Sequence, residues 1–190
     1  MRGPRRHSPQ SGKTEDATLV GPCERLSLRF ELLQQSALLR DFTPAEADLL
    51  GASMLLVRAQ PGQLLIAEGD ASDWMMLLLR GTVDVGKRKI GAAQDTQEPR
   101  DITRLAVLKE GAVLGEMSML DGEPRYASCW ALGEIEAAVL SRAAVGHLIS
   151  AHPTVGAKLL VKLTQLLAQR LRNTSSQLVK ALQIQRARGG

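Results

Sequence analysis

Leu114-Gly115-Glu116-Met117-Ser118-Met119-Leu120-Asp121-Gly122-Glu123-Pro124-Arg125-Tyr126-Ala127-Ser128 is the most unusual stretch of this 190-residue chain. Gly115 lets the backbone come close to a bound group. Glu116 to Leu120 is long enough for one short helical turn, whose first N–H groups have no internal partners and point at an anion. Asp121-Gly122-Glu123-Pro124 is a turn that brings the chain back, and it delivers Arg125 to the start of the next strand. A guanidinium fork beside exposed backbone N–H groups is the chemistry of a phosphate site. Glu116 does not suit phosphate alone, because a carboxylate repels it. It suits a ligand that also offers a hydroxyl donor, such as a ribose 2′-OH.

Working outward, the flanking segments have the texture of a small antiparallel roll. MLLVRA, QLLIAEG, WMMLLLRG, TVDVGK and ITRLAVLK precede the stretch, and ASCWAL and IEAAVL follow it. They are short apolar runs separated by Pro61-Gly62, Gly69-Asp70, Gly81 and a polar segment, 91–101, expected as a flexible hairpin tip. Before the roll, residues 24–39 show helical spacing at Leu26, Phe30 and Leu33. Thr43-Pro44-Ala45-Glu46 is a capping box with proline at the first helical position. After the roll the period becomes helical again: a short helix over 142–151 ends near His152-Pro153. One long helix then runs from Thr154 to about Arg186, about 50 Å at 1.5 Å per residue. Residues 1–23 are polar and basic and are expected as a disordered tail. The fold class is α+β: an antiparallel, jelly-roll-like β-roll over 54–141, N-terminal helices over 24–53 and C-terminal helices over 142–186.

Composition narrows the function. No apolar run approaches 18 residues, so no membrane-spanning helix is expected. Five aromatic residues are too few for a stacking platform that binds single-stranded nucleic acid. Cys23 and Cys129 alone make neither a disulfide framework nor a four-ligand metal centre, and no secretory signal opens the chain, so a cytoplasmic setting is expected. His7, His147 and His152 lie in the tail and the helices, not on strands, so no metal site is expected. No catalytic constellation appears, and an enzyme is not expected. Charge is uneven. After Glu136 there is no acidic residue and there are eight basic ones, leaving 16 of the 24 basic residues to set against all 20 acidic ones before it. That basic third suits an acidic partner or is a solvated helix face.

The stretch 114–128 resembles the phosphate-binding cassette of cyclic nucleotide-binding domains. Gly115, Glu116, Ser118, Leu120, Pro124, Arg125, Ala127 and Ser128 fall on the family pattern without a gap. The likeness extends over roughly 30 to 186, with Phe42-Thr43-Pro44 similar to the family's first helix entry and Ile66-Ala67-Glu68-Gly69-Asp70 to an early turn of its roll. It implies an eight-stranded roll flanked by helices, a cyclic phosphate on Arg125, a ribose 2′-OH on Glu116, and backbone donors near Gly115 and Met117. Tyr126 departs from the small or hydroxyl residue usual there, which leaves cyclic AMP and cyclic GMP both open as the ligand, with cyclic AMP favoured. No other cofactor is implied.

Along the long helix, Leu160, Thr164, Leu167, Leu171, Thr174, Leu178 and Ala181 step by four and three, the spacing of a coiled-coil seam. It suits a homodimer through 154–186 or packing on the chain's own roll. Arg170-Leu171-Arg172-Asn173-Thr174-Ser175 resembles the central helix of catabolite activator-type regulators, where a Thr-Ser pair meets the base; counted from Pro153, the pair here sits about one turn later. The expected function is a cyclic nucleotide sensor that repositions its C-terminal helix to act on a downstream protein. The alternatives are a transcription regulator of that class, a DNA-associated protein without a reading helix, and a non-binding dimerisation module. Only a few residues follow the long helix, too few for a winged helix, so sequence-specific DNA binding is not expected.

Overall fold

The computed structural model describes residues 17–23, 25–89 and 101–188. The strands are β1 (Thr18–Pro22), β2 (Leu55–Ala59), β3 (Leu64–Ile66), β4 (Trp74–Arg80), β5 (Thr82–Arg88), β6 (Ile102–Lys109), β7 (Val113–Leu114), β8 (Ser128–Ala131) and β9 (Ile135–Ser141). The helices are α1 (Phe30–Gln35), α2 (Pro44–Ala52), α3 (Glu116–Asp121), α4 (Arg142–Ala151) and α5 (Pro153–Arg188). The strands form two antiparallel sheets, ordered β1-β2-β9-β4-β7 and β3-β8-β5-β6. This is the α+β roll expected, with β2 to β9 making its eight strands.

β4 shows how sequence becomes layer. Its run Trp74-Met75-Met76-Leu77-Leu78-Leu79 is buried throughout. Successive side chains point to opposite faces, so an unbroken apolar run needs cover on both sides. Trp74, Met76 and Leu78 enter the core between the two sheets, with Val57, Leu65, Val83, Cys129 and Ile135. Met75, Leu77 and Leu79 enter a second core beneath the helices, with Leu32, Leu38, Leu50, Val145, Leu159 and Leu163. The five-stranded sheet is thus the middle layer.

Two expectations at the N-terminus are corrected. The tail expected over 1–23 contains a strand: Thr18 to Pro22 pairs with Arg58 to Leu55, and Cys23 is buried and donates its N–H to the Met54 carbonyl at 2.9 Å. The strand covers the free edge of β2. The rest of the expected tail, 1–16, lies outside the described residues, as does the hairpin tip expected over 91–101, Asp101 apart. The helix expected over 24–39 is broken into a 3-10 turn (Leu26–Leu28) and α1. Ser27 bonds to both carboxylate oxygens of Asp48 in α2 at 2.8 Å each, and Leu26 is driven into the core against Gly51. These tertiary contacts override a marginal helical period.

α2 is capped as its sequence requires. Thr43 Oγ1 accepts from the Glu46 N–H at 3.3 Å, and Glu46 accepts from the Thr43 N–H at 2.8 Å. The cap also holds the long helix. Lys158 of α5 donates to both Glu46 oxygens at 2.6 Å, and Lys162, buried, pairs with Asp41. Val155, Leu159 and Leu163 of α5 enter the core on the same turns. Beyond Arg170 every described side chain of α5 is exposed.

Two outcomes test this frame. Gly81 has φ +100° at the β4–β5 turn, and a Cβ there would meet the Glu134 carbonyl oxygen and Ile135 Cδ1. Gly81→Ala should lower unfolding free energy by about 1–3 kcal/mol, measured by urea denaturation; an unchanged midpoint would reject the turn geometry. The ammonium of Lys162 holds Asp41, and that of Lys158 holds Glu46, below the usual carboxylate range. Depressed carboxyl pKa values stabilise fully above the unfolded value and lose that contribution as pH falls through the folded one. Protection factors of the amides over 155–163, taken against the intrinsic exchange rate at each pH, should therefore fall below about pH 4, and constant protection from about pH 6 to about pH 3 would reject the latch.

Candidate functional site

The cassette starts where β7 ends. Gly115 takes φ +72°, a left-handed conformation that turns the chain from strand into α3. A Cβ at Gly115 would collide with the Arg125 guanidinium, so the glycine is needed for space as well as for backbone. α3 is a single short helix from Glu116. Gly122, at φ +82°, ends it, with its N–H on the Ser118 carbonyl at 3.0 Å. Arg142, the first residue of α4, closes the same end: its Nε donates to the Met119 carbonyl at 2.7 Å and its Nη2 to the Ser118 carbonyl at 2.9 Å. A cation at a helix C-terminus satisfies carbonyls and complements the dipole.

Arg125 is buried to 3% exposure. Its Nε donates to Ser72 Oγ at 2.7 Å, its Nη1 to the Gly115 carbonyl at 2.6 Å and its Nη2 to the Trp74 carbonyl at 2.6 Å. The guanidinium lies 4.2 Å from the Trp74 ring centroid. Burial pulls its pKa below the ordinary arginine value, opposed by the carboxylates of Asp70, Glu116 and Asp73 nearby. A buried cation stays charged only where oxygen atoms replace water, and three do so here. Its backbone is fastened too: the Arg125 N–H donates to the Asp70 carbonyl at 2.9 Å, and the Gly69 N–H to the Arg125 carbonyl at 2.8 Å.

Glu116 is 1% exposed and paired with Arg170 of α5. Arg170 Nη2 also donates to the Val113 carbonyl at 2.6 Å. The long helix is thereby bonded to both sides of the Gly115 turn, 54 residues along the chain from Glu116. Ser118 is buried, while Met117 is exposed on the outer side of α3. Tyr126 is 58% exposed, and Lys87 of β5 lies 3.8 Å from its ring centroid and donates to its carbonyl at 2.6 Å. Ala127 is half-buried, and Ser128 Oγ accepts the Glu68 N–H at 2.9 Å, bracing the turn after β3. Thr174 and Ser175 are exposed on α5, one turn past Arg170.

Gly115, Glu116, Ser118 and Arg125 are therefore brought together. Thr174 and Ser175 stand off from them, and Ser128 serves a neighbouring turn. Arg170, Arg142, Ser72 and Trp74 complete the surroundings and were not singled out from sequence as site residues. For Arg170 a signal existed: it lies four residues before Thr174, on the same helix face. For Ser72 and Trp74 none did, because Arg125 reaches the backbone carbonyl of one and the hydroxyl of the other across more than fifty residues. Cys129 lies beside the site, with its thiol pushed up by burial to about 12, so it stays a protonated core residue.

Comparison with known proteins places this geometry. Residues 56–152 match the family model for the cyclic nucleotide-binding domain. A cyclic nucleotide-binding domain from Methylobacillus flagellatus KT superimposes with TM-score 0.74 at 32% identity, over 92% of this chain and 96% of that one. The catabolite activator protein of Thermus thermophilus gives TM-score 0.65 at 29% identity, over 75% of this chain and 62% of its own. Among curated sequences, a CRP-like cAMP-activated global transcriptional regulator of Mycobacterium tuberculosis is 27% identical over 148 residues, and the chain spans 61% of that regulator's length. A cassette built around Gly115, Glu116 and Arg125, the roll that carries it and these relatives agree: the chain belongs to the cyclic nucleotide-binding domain family.

Proposed function

We propose that the protein is a cyclic AMP sensor whose output is the position and pairing of α5. The observation that carries this is the Glu116–Arg170 ion pair, because it joins the cassette to the long helix through the residue assigned to the ribose. In this reading the ribose 2′-OH donates to Glu116, and the cyclic phosphate is met by Arg125 and the N–H groups that open α3. Arg125 has five N–H groups and three are bonded inward, so phosphate is met by the remaining two or by turning the fork away from the Gly115 carbonyl. Either way the ligand acts on the turn that Arg170 grips. A group that binds one arrangement of a helix better than another shifts the population toward it, and a coupling of about 1–3 kcal/mol is ordinary.

The partner in this reading is a second copy. α5 buries Val155, Leu159 and Leu163 against its own domain, and Leu160, the first residue of the seam, packs beside them, while Leu171 and Leu178 further along the seam are exposed. Leu171, Leu178, Val179, Leu182 and Ile184 are all exposed. A helix that runs clear of its domain with a row of large apolar residues buries them against another helix. Thr174 and Ser175, exposed on the same stretch of α5, then lie along the helix pair. The two thiols sit unpaired in different cores, which suits the cytoplasm.

Arg125→Lys keeps a cation but loses the fork, and should weaken cyclic AMP binding by about 2–5 kcal/mol in calorimetric titration. Affinity within about threefold of wild type would reject the phosphate assignment. Arg170→Gln should leave measurable binding but remove the ligand's effect on amide exchange over 159–175; an unchanged helix response would reject Arg170 as the link. Leu171→Lys combined with Leu178→Lys should convert a dimer to a monomer in analytical ultracentrifugation, since buried unpaired ammonium groups are costly. A wild-type monomer at micromolar concentration would reject the seam.

A further inference from the structure

The four-stranded sheet has a concavity on its outer face. Along β5, Val83 and Val85 turn into the roll, and along β8, Cys129 and Ala131 do the same. Asp84, Gly86 and Trp130 alternate with them and so stand on the opposite face. With Ile102, Arg104 and Leu132 they line a cavity of about 450 Å³, within the size range of small-molecule sites. None of these residues takes part in the cassette.

Three features give the cavity a chemistry. Gly86 has no side chain, and a Cβ there would meet Ile102 Cγ2 at 2.5 Å and Trp130 Cζ3 at 3.2 Å, so the indole and the Ile102 side chain both pack over the glycine. Asp84 Oδ2 accepts both Arg104 Nε, at 3.0 Å, and Nη2, at 2.6 Å, while Asp84 Oδ1 is buried with no hydrogen-bond partner. It is the one such side-chain atom among the described residues. A buried unpaired acceptor is costly and calls for a donor. Arg104 is 63% exposed along its side chain, so it can swing aside and open the carboxylate edge without disturbing the core. An indole wall, an unpartnered acceptor and a concave apolar surround suit a flat ring that carries an N–H donor at its edge.

We propose that this cavity binds a planar nitrogen heterocycle of the nucleobase class, stacked on Trp130 and donating to Asp84 Oδ1. The test is NMR titration of the ¹⁵N-labelled chain with adenosine, which lacks a phosphate, and with N6,N6-dimethyladenosine, which keeps the ring but lacks the amine N–H. Adenosine should give saturable shifts at Gly86, Arg104 and the Trp130 indole N–H, and the dimethylated probe should bind at least about tenfold more weakly. Trp130→Leu and Asp84→Ala should each weaken adenosine by about tenfold or more with the remaining spectrum unchanged. If either variant unfolds, Leu132→Glu on the exposed rim should block the cavity in its place. Shifts confined to 115–126, no saturation by about 10 mM, or equal binding of the two probes would overturn the proposal.

Discussion

A charged guanidinium sealed inside a protein has to be surrounded by oxygen, and Arg125 sets that condition for the roll. The oxygens come from three places: Ser72 in the loop before β4, the Trp74 carbonyl at the start of β4, and the Gly115 carbonyl at the cassette turn. None of these can move far without leaving a cation partly unpaired in the interior. The cost of that state, several kcal/mol for a buried ion stripped of its partners, is comparable to the net stability of a small domain. The arginine therefore works as an internal strut before any ligand is present. It gathers the β3–β4 loop, β4 and the α3 turn around one point.

The cassette helix is held from both ends by arginines of the C-terminal region. Arg170 reaches Glu116 and the Val113 carbonyl at its beginning, and Arg142 takes the Ser118 and Met119 carbonyls at its end. One comes from α5 and the other from the start of α4. α3 is too short to be stable on its own, so its position is set by these two side chains and by Met119 in the core beneath. The opposite end of the assembly is fixed differently: Lys158 and Lys162 fasten α5 to the cap of α2. α5 is thus pinned at one end on the cap of α2 and gripped at its middle beside the Gly115 turn.

Much of this was open to reading from the chain because its signals are local. The cassette is one ungapped stretch, the Thr43–Glu46 box caps the helix it announces, and the unbroken apolar run of β4 signals cover on both faces. What stayed hidden depends on distant partners. Thr18–Pro22 has no amphipathic period of its own and becomes a strand because β2 has a free edge, which pairs Leu55 with Pro22 and Arg58 with Thr18. The period over 24–39 is broken by Ser27 bonding to Asp48, a contact no local pattern shows. The inward bonds of Arg125 to two backbone carbonyls form only once β4 and the cassette are folded against each other, and no local pattern shows them. Arg170 likewise acquires a role only when α5 is laid along the cassette.

The placement of β4 in the middle layer has a consequence for how the chain is made. Its neighbours in the sheet are β7 and β9, which end at residues 114 and 141, so both are synthesised after it. While the ribosome adds those residues, Met75-Met76-Leu77-Leu78-Leu79 waits as an uncharged, proline-free extended segment with no strand on either side. Such a segment is what other copies of itself pair with most readily. Nascent chains are therefore most vulnerable to aggregation between the emergence of β4 and that of β9, and fragments ending before residue 141 retain that vulnerability permanently.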